Sequence, residues 1–337
     1  MKILGFDSWT AGSHHYVRLL PGFEARGMSL TLVHLGSWGN EPGRPKCEQI
    51  EDLSVKDISS YGHNSLDKML CEEKPDAVIL LSTQTFAHRA LIRYCRLRGI
   101  PTLNLYHGLV AVQGIDSSEG SYKINAFAYI RFISSKFYKT FRYTLPCYIG
   151  ALVKTHAKAL DWIQFLIDLL RIGMGREALI AAEDAKTTRC CVYTQADIKH
   201  AVCTYGFAET DVTAVGNPDL IRFGLKQEMI GSRIAISDTG SQEIMYIDTG
   251  LASMGIFFKN NLEFVEHLKE TASCLSKQGF KMLMKPKPSI INHMEFLAEE
   301  LKGSNIELVT NDTFLQRLER CTACIVETTT LALVPAL

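Results

Sequence analysis

Phe280–Ser289, FKMLMKPKPS, sets a short apolar run against a basic, proline-broken loop, and Thr322–Thr330, TACIVETTT, repeats the plan with one acid and three threonines. Each run is brief, bounded and rich in apolar side chains, so each reads as a buried strand that delivers a polar loop at its carboxyl end. In a parallel α/β sheet ligands collect at that end, and a hydroxyl-bearing loop that opens a helix offers free N–H groups to an anion. Pro286 and Pro288 fix an extended exit from the first strand, which holds Lys285 and Lys287 near the sheet edge. With Ser289, Thr328, Thr329 and Thr330 they form a candidate phosphate site in which Lys285 is the preferred phosphate partner and Glu327 is placed for ribose hydroxyls. The plainer readings stay open: threonine is an ordinary helix cap, and a lysine turn is ordinarily solvated.

Working outward, the surrounding residues read as strand 244–248, helix 261–277, strand 280–284, helix 292–302, strand 306–309, helix 312–319, strand 323–326 and a helix starting at Thr328. Asp248-Thr249-Gly250 ends the first of these strands on the same edge and joins the candidate donor site, or serves as a turn with Asp as its cap. A βαβ unit takes roughly thirty residues, so 244–337 is short for a six-strand half, and it reads as a truncated or compact domain.

The first third follows the doubly wound pattern, with strands at 2–6, 29–35, 76–82 and 101–105 and helices near 13–26, 62–73 and 85–98. A further strand at 190–195, a helix to about Tyr205 and a strand entering VTAVGNPDL (212–220) complete this domain. The expected organisation is an N-terminal α/β domain over 1–220 with a helical segment at 121–175, a linker at 221–243, and a partial C-terminal domain at 244–337. Within the segment, Gly120–Leu160 carries seven Lys or Arg, no Asp or Glu, and nine Phe or Tyr. That composition suits an anionic membrane surface met through 121–158, or equally a helical insertion packed on its own domain. The helix near 155–172 is expected to return to the core.

Thirty-six basic and thirty-six acidic residues give a formal net charge of zero, which speaks against a dedicated nucleic-acid binder. MKILGFDSW reads as a strand and has too short an apolar run for a signal peptide, so a cytoplasmic protein is expected, peripheral at the inner face of the cell membrane if the basic segment binds lipid. The ten cysteines, Cys321-x-x-Cys324 included, read as reduced structural thiols. Strand-end loops supply candidate general bases: Asp7, His14 in Gly12-Ser13-His14-His15, His107 in Tyr106-His107-Gly108, and more weakly Asp116. Imidazoles suit the task because their pKa lies near neutrality, and structural roles for each remain the alternative. No Asp-x-Asp, no Gly-x-x-x-x-Gly-Lys and no Gly-x-Gly-x-x-Gly after the first strand is present, which disfavours metal-dependent transfer, nucleotide hydrolysis and dinucleotide redox chemistry. No metal and no cofactor is expected.

IPTLNLYHGL (100–109), VTAVGNPDL (212–220), MLMKPKPS (282–289) and CIVETTTLAL (324–333) together resemble, in order and spacing, the bacterial glycosyltransferases of GT-B type that build capsule and lipopolysaccharide. The likeness extends more distantly to glycerophosphotransferases and nucleotide-sugar 2-epimerase. It implies two Rossmann-like domains facing a cleft, a nucleotide-sugar donor held by Lys285 and Thr328–Thr330, and a surface-glycan or lipid-linked acceptor. Lys287 stands where the likeness has histidine. A nucleotide-sugar epimerase or hydrolase, and a decayed transferase that only binds, are the alternatives.

Overall fold

The computed structural model describes residues 1–8, 10–38, 43–62, 65–106, 140–173, 181–216, 242–250, 252, 258, 260–287 and 293–326. They divide into two compact units, residues through Gly216 in the first and residues from Gln242 in the second.

The first unit is built on strands β1 (Lys2–Asp7), β2 (Ser29–His34), β3 (Cys47–Ile50), β4 (Leu53–Asp57), β5 (Ala77–Leu80), β6 (Thr102–Leu105), β7 (Arg189–Val192) and β8 (Val212–Ala214), in spatial order β3-β4-β2-β1-β5-β6-β7-β8. Every neighbouring pair is parallel except β3 with β4. Side chains alternate across the pleat, and β1 buries both sets. Leu4 and Phe6 enter one core with Val33, Val78 and Leu80, while Ile3 enters the other with Leu30, Leu32 and Ile79. Two buried faces are what a parallel sheet clad by helices requires.

The helices of this unit are α1 (Ser13–Val17), α2 (Leu20–Glu24), α3 (Leu66–Glu73), α4 (Phe86–Leu97), α5 (Leu145–Lys154), α6 (Ala159–Gly173) and α7 (Gln195–Tyr205). Ser65 caps α3, Thr85 caps α4, and Thr194 with Asp197 forms a capping box on α7. The helix expected over 13–26 is two short helices, because Pro21 lacks the N–H that a continuous ladder needs. The β3–β4 hairpin was not expected. Its Glu51 turn lies at φ 51°, and the half-exposed β3 forms the sheet's antiparallel edge while β4 buries Leu53, Val55 and Asp57.

The 140–173 region is helix-rich, and α5 turns Leu145, Tyr148, Ala151 and Leu152 into the core that α4 also lines. A buried ionic cluster fastens α5 and α6 to α4. Arg89 Nε donates to Asp184 Oδ1 at 2.7 Å and Arg89 Nη1 to Asp168 Oδ2 at 2.5 Å, while Arg93 Nε donates to Asp184 Oδ2 at 2.8 Å. The Tyr148 hydroxyl also donates to Asp184. Burial alone would raise the Asp184 pKa, but the Arg89 charge, the Tyr148 bond and Arg93 outweigh it and hold the carboxyl below its ordinary range. The helix expected at 155–172 begins only at Ala159, and it returns to the core on one side alone. Phe165 and Asp168 are buried, whereas Leu160, Ile163, Leu166, Ile167 and Leu170 are exposed. The inward side carries Trp162, Phe165, Leu169 and Ile172 together with the two acids that meet the α4 arginines.

The second unit holds β9 (Glu243–Ile247), β10 (Lys281–Lys285), β11 (Ile306–Leu308) and β12 (Ala323–Val326), all parallel in order β11-β10-β9-β12. Helices α8 (Asn261–Lys277), α9 (His293–Glu300) and α10 (Phe314–Leu318) pack on it. Tyr246, Met282 and Met284 face α8 and α9, and Met245, Ile247 and Leu283 face α10. The two sheets are consistent with two Rossmann-like domains.

Candidate functional site

In the second unit the chain leaves β9 toward β10 on one side and returns to β12 on the other, so the topological switch point lies between β9 and β12. Ligands of open α/β sheets bind outside the carboxyl ends of strands at such a point. Asp248 stands there, directly after β9, and Lys285 ends β10 in register with Ile247.

The Asp248 carboxylate organises the edge. Its Oδ1 accepts the Gly250 N–H at 2.6 Å, and its Oδ2 accepts the Lys287 N–H at 3.1 Å and His293 Nε2 at 2.8 Å. Burial pushes the Asp248 pKa up, but the His293 bond and the two backbone N–H bonds more than offset it, and the carboxyl lies below its ordinary value. An ionised carboxylate only accepts, so the His293 Nε2 carries the proton of that bond. Asp248 and His293 are both buried, and they tie the residues after β10 to the start of α9.

Lys285 is 5% exposed. Its ammonium donates to the Pro286 carbonyl at 2.8 Å and sits 5.8 Å from the Phe314 ring centroid, within cation–π range. Burial lowers its pKa, and the Asp248 charge opposes that shift without cancelling it. An ammonium has three donors, and among the described residues one is engaged by hydrogen bonding. The remaining ammonium N–H groups suit an anion with several acceptor oxygens, whereas the Lys287 N–H is already given to Asp248.

The structure therefore brings together Asp248, Lys285 and Lys287, three of the donor-site residues expected from sequence. Ser289, Glu327, Thr328, Thr329 and Thr330 lie outside the described residues, as do His107 and Asp116. Sequence reasoning missed His293 and Phe314. The only signal for His293 was a histidine opening the helix after the Lys-Pro loop, and its partner lies 45 positions away.

In the first unit the strand order reverses between β1 and β5; Asp7 is the last residue of β1, and His14 lies in the first turn of α1. The Ser8 N–H donates to Asp7 Oδ1 at 2.6 Å. A Cβ on Gly12 would collide with Asp7 Oδ2, so a larger residue there would displace that carboxylate. The exposed His14 ring lies against His15, centroids 3.9 Å apart. After β5 stands a histidine that sequence reasoning passed over. His88 has its Nδ1 at 2.6 Å from Thr85 Oγ1 and its ring edge-on to Phe6, and burial pushes its pKa down to about 4. It is a neutral imidazole at physiological pH, oriented by the residue that caps its helix.

Among the described residues no cluster of three or more His, Cys, Asp or Glu is arranged to hold a metal ion, and no helix is long and apolar enough to cross a membrane. Burial pushes the Cys321 and Cys324 thiols up to about 12 and about 11, and Cys321 Sγ donates to the Arg317 carbonyl at 3.2 Å. Such thiols behave as packed side chains, since the reactive form is the thiolate.

No protein family matches this chain, and no curated protein does. Among solved structures, UDP-GlcNAc 2-epimerase from Neisseria meningitidis bound to UDP-GlcNAc aligns with 97% of this chain and 77% of its own, at 10% identity and a TM-score of 0.44. CalG4, the calicheamicin glycosyltransferase, aligns over 99% and 77%, at 12% identity and a TM-score of 0.47. Acinetobacter baumannii MurG aligns over 96% and 71%, at 10% identity and a TM-score of 0.43. Likeness at this level carries no conclusion about activity or substrate.

Proposed function

We propose that this chain is a metal-independent, cytoplasmic glycosyltransferase of the two-domain GT-B type, which takes a sugar from a nucleotide-sugar donor to a surface-glycan or lipid-linked acceptor. The observation that carries this reading is Lys285, a buried ammonium at a sheet's carboxyl edge with one hydrogen-bond acceptor among the described residues, beside a carboxylate that fixes the following backbone. A lysine costs free energy to bury, and an anionic ligand would compensate it.

In the proposed reaction Lys285, with Lys287, Ser289 and the hydroxyls of Thr328–Thr330, neutralises the donor phosphate as it leaves, and Glu327 receives ribose hydroxyls. His107, Asp7 or His14 takes the acceptor hydroxyl proton. The acceptor oxygen then forms a bond to the anomeric carbon while the bond from that carbon to the phosphate oxygen breaks. Charge neutralisation at the leaving group is where preorganised cations lower a barrier most. Transfer from a nucleotide sugar is expected to collapse in Lys285→Ala and in Thr329→Ala, and unchanged turnover in both would remove the assignment. Incubation of the donor without acceptor separates the rival chemistry, since an isomerised or hydrolysed sugar points to an epimerase or hydrolase.

A further inference from the structure

Helix α6 is apolar on both sides: Trp162, Phe165, Leu169 and Ile172 pack on the core, and a second apolar row faces outward. Asp161 and Asp168 face inward onto Arg93 and Arg89, and Gln164 Nε2 donates to Asp168 Oδ1 at 3.1 Å. The outward positions are Leu160, Ile163, Leu166, Ile167 and Leu170, with 76, 53, 57, 41 and 68% of their surface exposed. They recur every three or four residues and so form one stripe along the helix. Single exposed aliphatic residues are commonplace, but a contiguous row of this kind marks a surface with something other than water against it.

Charge indicates what that is. Both acids of α6 are paired with arginines of α4, which leaves the basic residues at its ends to set the charge beside the stripe. Lys158 is exposed just before the helix, and Arg171 stands in its last turn. A two-fold pairing of copies through this face would set the cationic ends near one another, whereas an anionic lipid surface complements both the apolar stripe and its basic flanks.

We propose that the outer face of α6 docks onto an anionic lipid bilayer, with Leu160, Ile163, Leu166, Ile167 and Leu170 entering the acyl boundary and Lys158 meeting the headgroups. The fifteen residues of α6 extend about 22 Å, short of the roughly 30 Å needed to span, so the helix lies along the interface. The contact shares Lys158 with the 121–158 surface expected from composition but takes its apolar side from α6, while α5 turns Leu145, Tyr148, Ala151 and Leu152 inward. It does not depend on the nucleotide chemistry proposed above.

The test is flotation of the whole chain with phosphatidylglycerol–phosphatidylcholine vesicles, alongside the triple variant Ile163→Gln/Leu166→Gln/Leu170→Gln and the single variant Lys158→Glu. The wild-type chain should float, the triple variant should partition at least tenfold less, and Lys158→Glu should bind more weakly in a manner that added salt diminishes. All three replaced aliphatic residues are exposed, so the melting temperature of the triple variant should match wild type, which separates a lost surface from a lost fold. The proposal is overturned if wild type does not float, or if the triple variant floats equally well. It is also overturned if wild type is a dimer without lipid that the triple substitution dissociates, since a second copy then covers the face.

Discussion

Asp184→Ala removes the centre of the cluster that fastens α5 and α6 to α4. The carboxylate accepts from Arg89 Nε at 2.7 Å, from Arg93 Nε at 2.8 Å and from the Tyr148 hydroxyl, and its residue is 4% exposed. Arg89 would keep Asp168 and Arg93 would keep Asp161, but two guanidinium edges and a phenol would lose their acceptor inside the protein. Breaking a buried ion pair by deleting one partner costs about 3–5 kcal/mol, far more than the pair contributes relative to an apolar replacement. For a unit of this size each kcal/mol moves the melting midpoint by about 2–4 °C, so a fall of roughly 6–20 °C is expected. The three tryptophans, Trp9, Trp38 and Trp162, all lie within the first unit's stretch of chain, so tryptophan fluorescence follows its melting. A shift below about 2 °C would mean that the cluster is solvated or its loss relieved by rearrangement, and that it does not fasten the helices.

His88 has a folded pKa of about 4 against an ordinary value of 6.5, so the folded state favours the neutral ring, and its contribution is fully present above 6.5 and lost as pH falls toward 4. That difference is worth roughly 3 kcal/mol, and urea titrations from pH 7 to pH 4 should show a decline that is smaller by that amount in His88→Gln; an identical decline in both proteins would contradict it. Asp248→Ala leaves the Gly250 and Lys287 N–H groups and His293 Nε2 without their acceptor. Bonds to a charged group are worth about 1.5–3 kcal/mol each, so circular dichroism should report a second unit destabilised by at least that much, and a neutral outcome would show that the edge is not organised by this carboxylate.

The strands of both sheet centres were legible because each is a bounded apolar run, and the register that places Lys285 beside Ile247 follows from parallel pairing of two such runs. The β3–β4 hairpin was illegible for the opposite reason. Cys47–Ile50 (CEQI) and Leu53–Asp57 (LSVKD) are only four and five residues long with two apolar residues or fewer in a row to mark them, and such short mixed runs are easily taken for a loop. The periodicity of α6 gave a helix but not its orientation, because Asp161 and Asp168 turn inward to meet arginines some 68 to 79 positions earlier in the chain. Lys285 and Asp248 were found from the rule that ligands gather at strand ends. His293 was not, since a lone histidine at a helix start acquires meaning only from a carboxylate that the fold brings to it.

Whether Lys285 sits in a nucleotide phosphate site is measured directly by a thermal-shift panel of UDP, CDP, GDP and CMP on the wild-type chain and on Lys285→Ala. A nucleotide present at a hundred times its dissociation constant stabilises the fold by about 2.7 kcal/mol, so at least one of the four should raise the wild-type midpoint. The same nucleotide should leave a folded, cooperatively melting Lys285→Ala unmoved. Wild type that responds to none of the four, or a variant that responds as wild type does, would contradict the placement of Lys285 in such a site.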